Sequence, residues 1–226
     1  MEQHTPANRS EKTRDALLNA AVDVFGKAGY DAASNRAIAE AAGANQALIG
    51  YHFGGKRGLY LAVFERITEQ WQLDLLPVVS RLRTQFATIS MSDYDRRERC
   101  IAIIETLLFA MLDNLNRPET KAWARLIMRE QQDPSDAFEV LYEGFMKQLL
   151  GALSEFAAMA EGIAEENDAT RMRGIFLASH ILIFAMAPSA VDRHLGWTES
   201  TTANLNTIKV QLHHLLQQQF TGEPSL

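Results

Sequence analysis

The stretch SNRAIAEAAGANQALIGYHFGGKRGL, residues 34–59, decides the fold. Ser34 is placed to cap a short helix, its hydroxyl accepting a free backbone N–H of the first turn. Ala37, Ile38, Ala41 and Ala42 give that helix a small apolar face. Gly43 stands where the helix must end in a left-handed conformation, which glycine reaches without a Cβ clash. Asn45 then caps a second helix carrying Ala47, Leu48, Ile49, Tyr51 and Phe53. Small side chains ahead of a glycine turn let two helices cross closely, which predicts a helix-turn-helix. Gly54-Gly55 breaks the chain, and Lys56 opens a longer helix bearing Leu59, Tyr60, Val63, Phe64, Ile67 and Trp71.

Upstream, residues 1–9 read as a polar arm. Ser10 can cap a helix over 10–28, whose Leu17, Ala20, Ala21, Val24, Phe25 and Ala28 recur every three or four positions and form one apolar stripe. This stripe and the helix after Lys56 can close a small three-helix core. Downstream, Pro77 is expected to kink or end the helix from Lys56. A short helix over 78–89, a polar connection over 90–95 and a helix over 96–114 follow. Pro118 opens another helix at its first position, and Asp133-Pro134 is expected to restart the chain in the same way. A long helix then carries Phe138, Leu141, Phe145, Leu149, Leu153 and Phe156. An acidic loop over 161–168, including Glu165-Glu166, leads to two last helices over 169–187 and 199–220, with 188–197 read as a loop. The fold class is all-α.

Composition agrees with this. The 226 residues suffice for one large domain or two modest ones, with 47% hydrophobic residues, six prolines and thirteen glycines, and alanine, leucine, glutamate, glutamine and arginine favour helix. The single Cys100 excludes an intramolecular disulfide framework and any cysteine-rich zinc module. The first residues lack the apolar core of a signal peptide, and the most apolar stretch, 175–187, is shorter than the about 20 residues a bilayer needs. The expectation is a cytoplasmic protein with no membrane partner. His213 and His214 are adjacent and diverge on a helix, and His180 and His194 lack ligand partners at metal spacing, so no metal and no cofactor are expected. No nucleophile elbow, phosphate loop or dinucleotide fingerprint is present, so no catalytic residues are assigned and the chain is read as not an enzyme.

The net charge of −6 is unevenly spread: residues 1–60 hold seven Lys/Arg and six Asp/Glu, against 15 and 22 in the remainder. Only the first part is compatible with a polyanion, while an acidic body discourages non-specific contact. In a helix-turn-helix the start of the second helix enters the major groove of DNA. Asn45 and Gln46 carry amides able to read adenine, and Ala47 or Leu48 can meet a thymine methyl. Ser34, Asn35, Tyr51, His52 and Lys56 suit phosphate contacts. Arg36 can contact DNA or pair with Glu40 one turn on.

With Ile38-Ala39, Ala42-Gly43, Tyr51-His52-Phe53, Lys56 and Leu59 in register, and Phe25 and Gly29-Tyr30 fitting upstream, residues 12–64 resemble the N-terminal domain of TetR-family transcriptional regulators. The chain has Leu48 and Gly50 where many members carry Thr or Ser and Tyr. The run Arg125 to Gln131, followed by Asp133-Pro134-Ser135 and Phe138, resembles the branch with a CecR-type C-terminal domain, which suggests regulation of transport or drug-sensitivity genes. The resemblance implies an N-terminal three-helix DNA-binding domain, 1–58, and a C-terminal helical effector-binding and dimerisation domain, 59–226. It also implies a homodimer on a palindromic operator and, in most members, a repressor released by a small-molecule effector. Phe109, Met111, Trp123, Met128, Phe145, Met146, Phe176, His180 and Phe184 offer an apolar, adaptable effector lining, with Arg125, Arg129 and Glu130 able to orient a ligand. Ile175, Ser179, Leu182 and Met186 of one late helix and Leu205, Ile208, Leu212 and Leu215 of the other suit a dimer four-helix bundle. The competing reading is a small-molecule carrier or interaction protein whose helix-turn-helix no longer binds DNA.

Overall fold

The computed structural model describes residues 6–87, 93–163, 167–198 and 201–221. Over these the chain is helical, with no strand: α1 (Pro6–Ala32), α2 (Asn35–Ala41), α3 (Ala47–Phe53), α4 (Lys56–Ala87), α5 (Asp93–Leu115), α6 (Pro118–Gln132), α7 (Asp136–Leu141), a π-helical turn (Tyr142–Met146), α8 (Lys147–Ala160), α9 (Asp168–Met186), α10 (Pro188–Leu195) and α11 (Thr202–Thr221). The connection expected over 90–95 and the Glu165-Glu166 pair lie partly or wholly outside the described residues.

Several boundaries differ from expectation, each for a local reason. Helix α1 starts at Pro6 rather than at Ser10, because a proline at the first helical position surrenders no hydrogen bond. It is interrupted at Gly29 (φ 81°, ψ 171°) and then makes one more turn, in which the Ala33 N–H donates to the Gly29 carbonyl at 3.2 Å. Its buried stripe is Leu17, Leu18, Ala21, Val22 and Phe25, while Ala28 faces solvent. In α2 the buried residues are Ile38 and Ala39, whereas Ala37 and Ala41 are exposed. Pro77 does not end α4, which runs 32 residues through it. Pro77 and Leu73, whose carbonyl loses its partner, both lie on the exposed face, so the freed oxygen is open to hydration. Ser135, not Pro134, caps α7, its Oγ accepting from the Ala137 N–H at 3.2 Å. The stretch 188–197 is mostly helix: Pro188 takes the first position of α10 and Gly196 closes it at φ 69°, the start and stop chemistry of a helix. The long helix expected over 138–156 is broken by the π-turn. A spacing of four moves a position about 40° round an α-helix. The wider turn takes back part of that rotation and keeps Leu141, Phe145 and Leu149 all buried.

The described chain forms two compact units. The first unit combines residues up to Gln70 with Pro118–Gly144, and the second combines Trp71–Arg117 with Phe145 onwards. The physical reason is that α6 packs on α1 through Thr120, Trp123, Leu126 and Glu130, buried at spacings of three and four. The first unit's core is Leu17, Leu18 and Phe25 of α1, Ile38 of α2, Ile49 of α3, and Leu59, Val63, Phe64 and Ile67 of α4. Burying each such side chain stabilises by about 1.5–3 kcal/mol.

Within this unit one carboxylate ties three helices. Glu130, only 4% exposed, accepts from the Tyr60 hydroxyl at 2.7 Å through Oε1. Its Oε2 accepts from the Ser135 N–H at 2.9 Å and the Ser135 hydroxyl at 2.8 Å. The Tyr60 ring meets Phe25, Tyr30 and Phe64 at centroid distances of 4.9, 4.9 and 5.0 Å. Burial first, then the bond to Glu130, pushes the Tyr60 hydroxyl well above its ordinary value of 10.0. Arg129 lies over Gly29, where an added Cβ would stand 2.8 Å from Nη1. The Arg57–Asp136 ion pair lies on the surface and contributes at most about 1 kcal/mol.

In the second unit α8 packs on α5 and α9, and α11 on α5. Asn167 and Thr170 form a reciprocal capping box at the start of α9. Lys209 on α11 pairs with Asp113 on α5 at 2.7 Å. Helix α9 is long and apolar enough to cross a bilayer, but its Gly174, Leu177, Ala178 and Ile181 are buried. Burial pushes the Cys100 thiol up to about 11. A Cβ on Gly174 would stand 2.3 Å from Ser154 Oγ and 2.9 Å from its backbone nitrogen, so α8 and α9 approach backbone to backbone.

Two stability measurements check this packing. Gly174→Ala should lower urea stability by about 1–3 kcal/mol through overpacking. Gly151→Ala in α8, whose Cβ would meet nothing, should be neutral or raise stability by up to about 1 kcal/mol. Separately, the raised Tyr60 value implies stability that is complete below pH 10 and lost as pH rises above it, because the unfolded phenol ionises first. Tyr60→Phe should cost about 1–3 kcal/mol at neutral pH, leaving Glu130 Oε1 unpaired, and should flatten the alkaline decline.

Candidate nucleic-acid interface and effector domain

The helix-turn-helix is built from local bonds. Ser34 Oγ accepts from the Ala37 N–H at 3.1 Å and starts α2. At its end the Gly43 N–H donates to the Glu40 carbonyl at 3.1 Å and the Ala44 N–H to the Ala39 carbonyl at 2.9 Å, a Schellman closure made possible by Gly43 at φ 62°. Asn45 Oδ1 accepts from the Ala47 N–H at 2.9 Å, which starts α3. Gly54, at φ 71°, ends α3 by donating to the Gly50 carbonyl. Gly58 must lack a side chain, since a Cβ there would stand 1.8 Å from the Phe53 carbonyl oxygen. Helix α3 has only seven residues, too few to persist alone in water. These caps and the burial of Ile49 hold it in place.

Asn45 and Gln46 just before α3, and Ala47, Gly50 and Tyr51 on it, face solvent, with Leu48 and His52 half-buried. Tyr51 is 78% exposed, a large apolar ring left uncovered. Its ring meets His52 at 4.9 Å, and Arg14 of α1 lies over the Phe53 ring at 5.3 Å. Ser34 and Arg36 are also exposed, and Arg36 pairs with Glu40 at 2.8 Å. Asn35 Oδ1 is buried without a hydrogen-bond partner. Lys56 has a second role that its sequence position did not reveal. Its Nζ donates to the Asp31 carbonyl at 3.0 Å and sits 4.7 Å over the Tyr30 ring, which ties the end of α1 to the start of α4.

The residues expected at the effector site divide between the units. Trp123, Arg125, Met128 and Arg129 belong to the first unit, and Phe109, Met111, Phe145, Met146, Phe176, His180 and Phe184 to the second. Trp123 is core on α6, and Arg129 is engaged at Gly29. Glu130 is a structural tie rather than a free polar handle. Phe145 packs on Trp71 at 5.1 Å, and Met111 is buried. Phe176 is exposed on α9, and His180 Nδ1 lies 2.6 Å from the Phe176 carbonyl. A cleft in the second unit, about 420 Å³, is lined by other residues altogether, from α4 and α5.

The expected dimer residues also divide. Ile175, Ser179, Met186 and Leu215 are exposed, and Leu182 and Leu205 half-buried. Ile208 and Leu212 are core residues of the subunit, because α11 turns that face towards α5. Met172, Phe176 and Ile183 extend the exposed apolar face of α9, and Val210 that of α11. The sequence reading missed Tyr60 and Ser135 as supports of the interface. Their signal was a hydroxyl-bearing residue on the buried stripe of α4 and a serine before a helix. Among the described residues no group of His, Cys, Asp or Glu side chains is placed to hold a metal.

Comparison with known proteins agrees with this geometry. Residues 17–63 match the family described as bacterial regulatory proteins, tetR family. Residues 96–222 match the C-terminal domain of the HTH-type transcriptional dual regulator CecR. CecR of Shigella flexneri is 29% identical over 218 residues, which cover 92% of this chain and 93% of CecR. The transcriptional repressor NicS of Pseudomonas putida is 33% identical over 107 residues, covering 44% of this chain and 50% of NicS. The crystal structure of FadR from Bacillus subtilis, in complex with stearoyl-CoA, superposes with a TM-score of 0.58 at 15% identity, covering 89% of this chain and 96% of that one, and shares its fold. A capped helix-turn-helix on an all-helical body, matched across both parts of the chain, places this protein among DNA-binding regulators rather than enzymes: it belongs to the TetR family of transcriptional regulators, with a CecR-type C-terminal domain.

Proposed function

We propose that the chain is a homodimeric repressor that binds a palindromic operator in the cytoplasm and leaves it when a small-molecule effector occupies the C-terminal part. The observation that carries this reading is the exposed start of α3, where Asn45, Gln46 and Ala47 face solvent on a helix fixed by caps at both ends. In this reading Gln46 and Asn45 read base edges, with Ala47 and Leu48 against thymine methyls. Ser34, Asn35, Tyr51 and His52 hold phosphates. Arg36 joins them by giving up Glu40, an exposed pair of little worth. Lys56 acts chiefly by fixing the entry to α4, and adds positive charge beside the backbone.

The homodimer rests on the exposed apolar residues of α9 and α11. Ile175, Phe176, Ile183 and Met186 fall on one side of the same helix, and each is about half exposed. A patch of this kind marks a protein interface. Two-fold pairing would set two copies of α3 about 34–36 Å apart, one turn of DNA, or a little wider.

Gel-shift titration against the chain's own promoter region tests the reading. The wild-type protein should bind at low salt without ligand. Gln46→Ala and Tyr51→Ala should each weaken binding by about 1–3 kcal/mol without changing the thermal midpoint, since both side chains are exposed. Binding that survives both substitutions would show that α3 does not face the DNA. Ile183→Asp should shift sedimentation from dimer to monomer, and a variant that stays dimeric would place the interface elsewhere.

A further inference from the structure

The seam between α4 and α5 is clasped at one end and holds a cleft near the other. At the clasped end Asp74 accepts from the buried Asn114 Nδ2 at 2.9 Å and pairs with Arg117. The helices run antiparallel from there, so each step along α4 is matched by a step back along α5. Two turns away Leu82 and Thr106 line a cleft of about 420 Å³. Leu82, Phe86, Ala102 and Ile103 form its apolar wall, and among the described residues Arg99 is the only charged one that lines it. The Thr106 hydroxyl is already given to the Ala102 carbonyl at 2.8 Å.

We propose that this cleft binds a small amphipathic carboxylate, with the apolar body against Leu82, Phe86 and Ile103 and the carboxylate on the Arg99 guanidinium. The volume falls within the about 300–1,000 Å³ of small-molecule sites, which combine apolar walls with few polar groups. The charge is specific to this place. Residues 81–99 hold five arginines against three carboxylates, in a chain of net charge −6. Arg83 is committed to Glu155 at 2.7 Å, whereas Arg99 makes no hydrogen bond or ion pair with the described residues. A single planar guanidinium matches a carboxylate through two parallel hydrogen bonds. Helix α4 is continuous from Lys56 at the helix-turn-helix to Ala87 beside the cleft. That the occupant acts on operator affinity rests on the function proposed above; that the cleft binds a carboxylate does not.

The test is calorimetric titration of the full chain, without DNA, with 2-naphthoate and with its neutral counterpart 2-naphthamide. Wild type should bind naphthoate once per chain. Arg99→Gln should weaken naphthoate about tenfold or more and leave naphthamide unchanged. Ala102→Trp, at an exposed position, should fill the cleft and abolish both. Circular dichroism melts confirm that both variants fold. Absence of naphthoate binding to wild type, equal binding by Arg99→Gln, or binding unaffected by Ala102→Trp would each overturn the proposal. Because DNA is absent, these results are independent of whether an operator is bound. A gel shift with added naphthoate then reads the regulatory step: release from wild type but not from Arg99→Gln supports it, and equal release from both overturns it.

Discussion

The arrangement of the first unit depends on the buried carboxylate of Glu130. A charge removed from water is costly unless hydrogen bonds replace its hydration, and here three donors from two residues do so. Those donors belong to α4 and to the turn before α7, while Glu130 itself lies in the last turn of α6. The requirement to satisfy one carboxylate therefore fixes where three segments meet, even though Tyr60 lies 70 residues away in sequence. The Tyr60 ring carries the constraint to Phe25 and Tyr30 of α1. Tyr30 and Asp31 in turn hold Lys56 at the start of α4. The entry to α4 and the exit of α1 are thus set together, and α2 and α3 span the interval between them.

This explains how a seven-residue helix can present side chains for recognition. On its own α3 would not persist. Its start is fixed by Asn45, its end by Gly54, its one buried anchor is Ile49, and the glycine at 58 lets the chain pass close under Phe53. Little conformational freedom remains to be lost when DNA binds, so exposed polar groups there can contribute to affinity. The acidic remainder of the chain works in the same direction by disfavouring DNA elsewhere on the protein.

What was legible in the sequence follows from how local each interaction is. The caps Ser34 and Asn45 and the stops Gly43 and Gly54 act within a few residues, so the helix-turn-helix could be read directly. The same chemistry was present at Pro188 and Gly196, and reading that stretch as a loop overlooked it. Pro77 does not end α4, because its cost depends on whether the freed carbonyl faces water, which sequence does not reveal. The roles of Glu130, Tyr60 and Ser135, the π-turn, and the packing of α6 on α1 all depend on contacts between distant segments. Periodicity marked Ile208 and Leu212 as apolar, yet could not say which apolar face of α11 meets its own subunit and which is left outside. Aromatic and methionine side chains at helical spacing are core in most helices, and Trp123 and Phe145 are buried here.

The central claim is that α3, presented twice by a dimer, reads DNA. Hydroxyl-radical footprinting of the chain's own promoter region tests it most directly. Two protected patches related by two-fold symmetry, with centres about one helical turn apart or slightly more, are the predicted result. A single patch, or protection with no symmetry, would contradict the account.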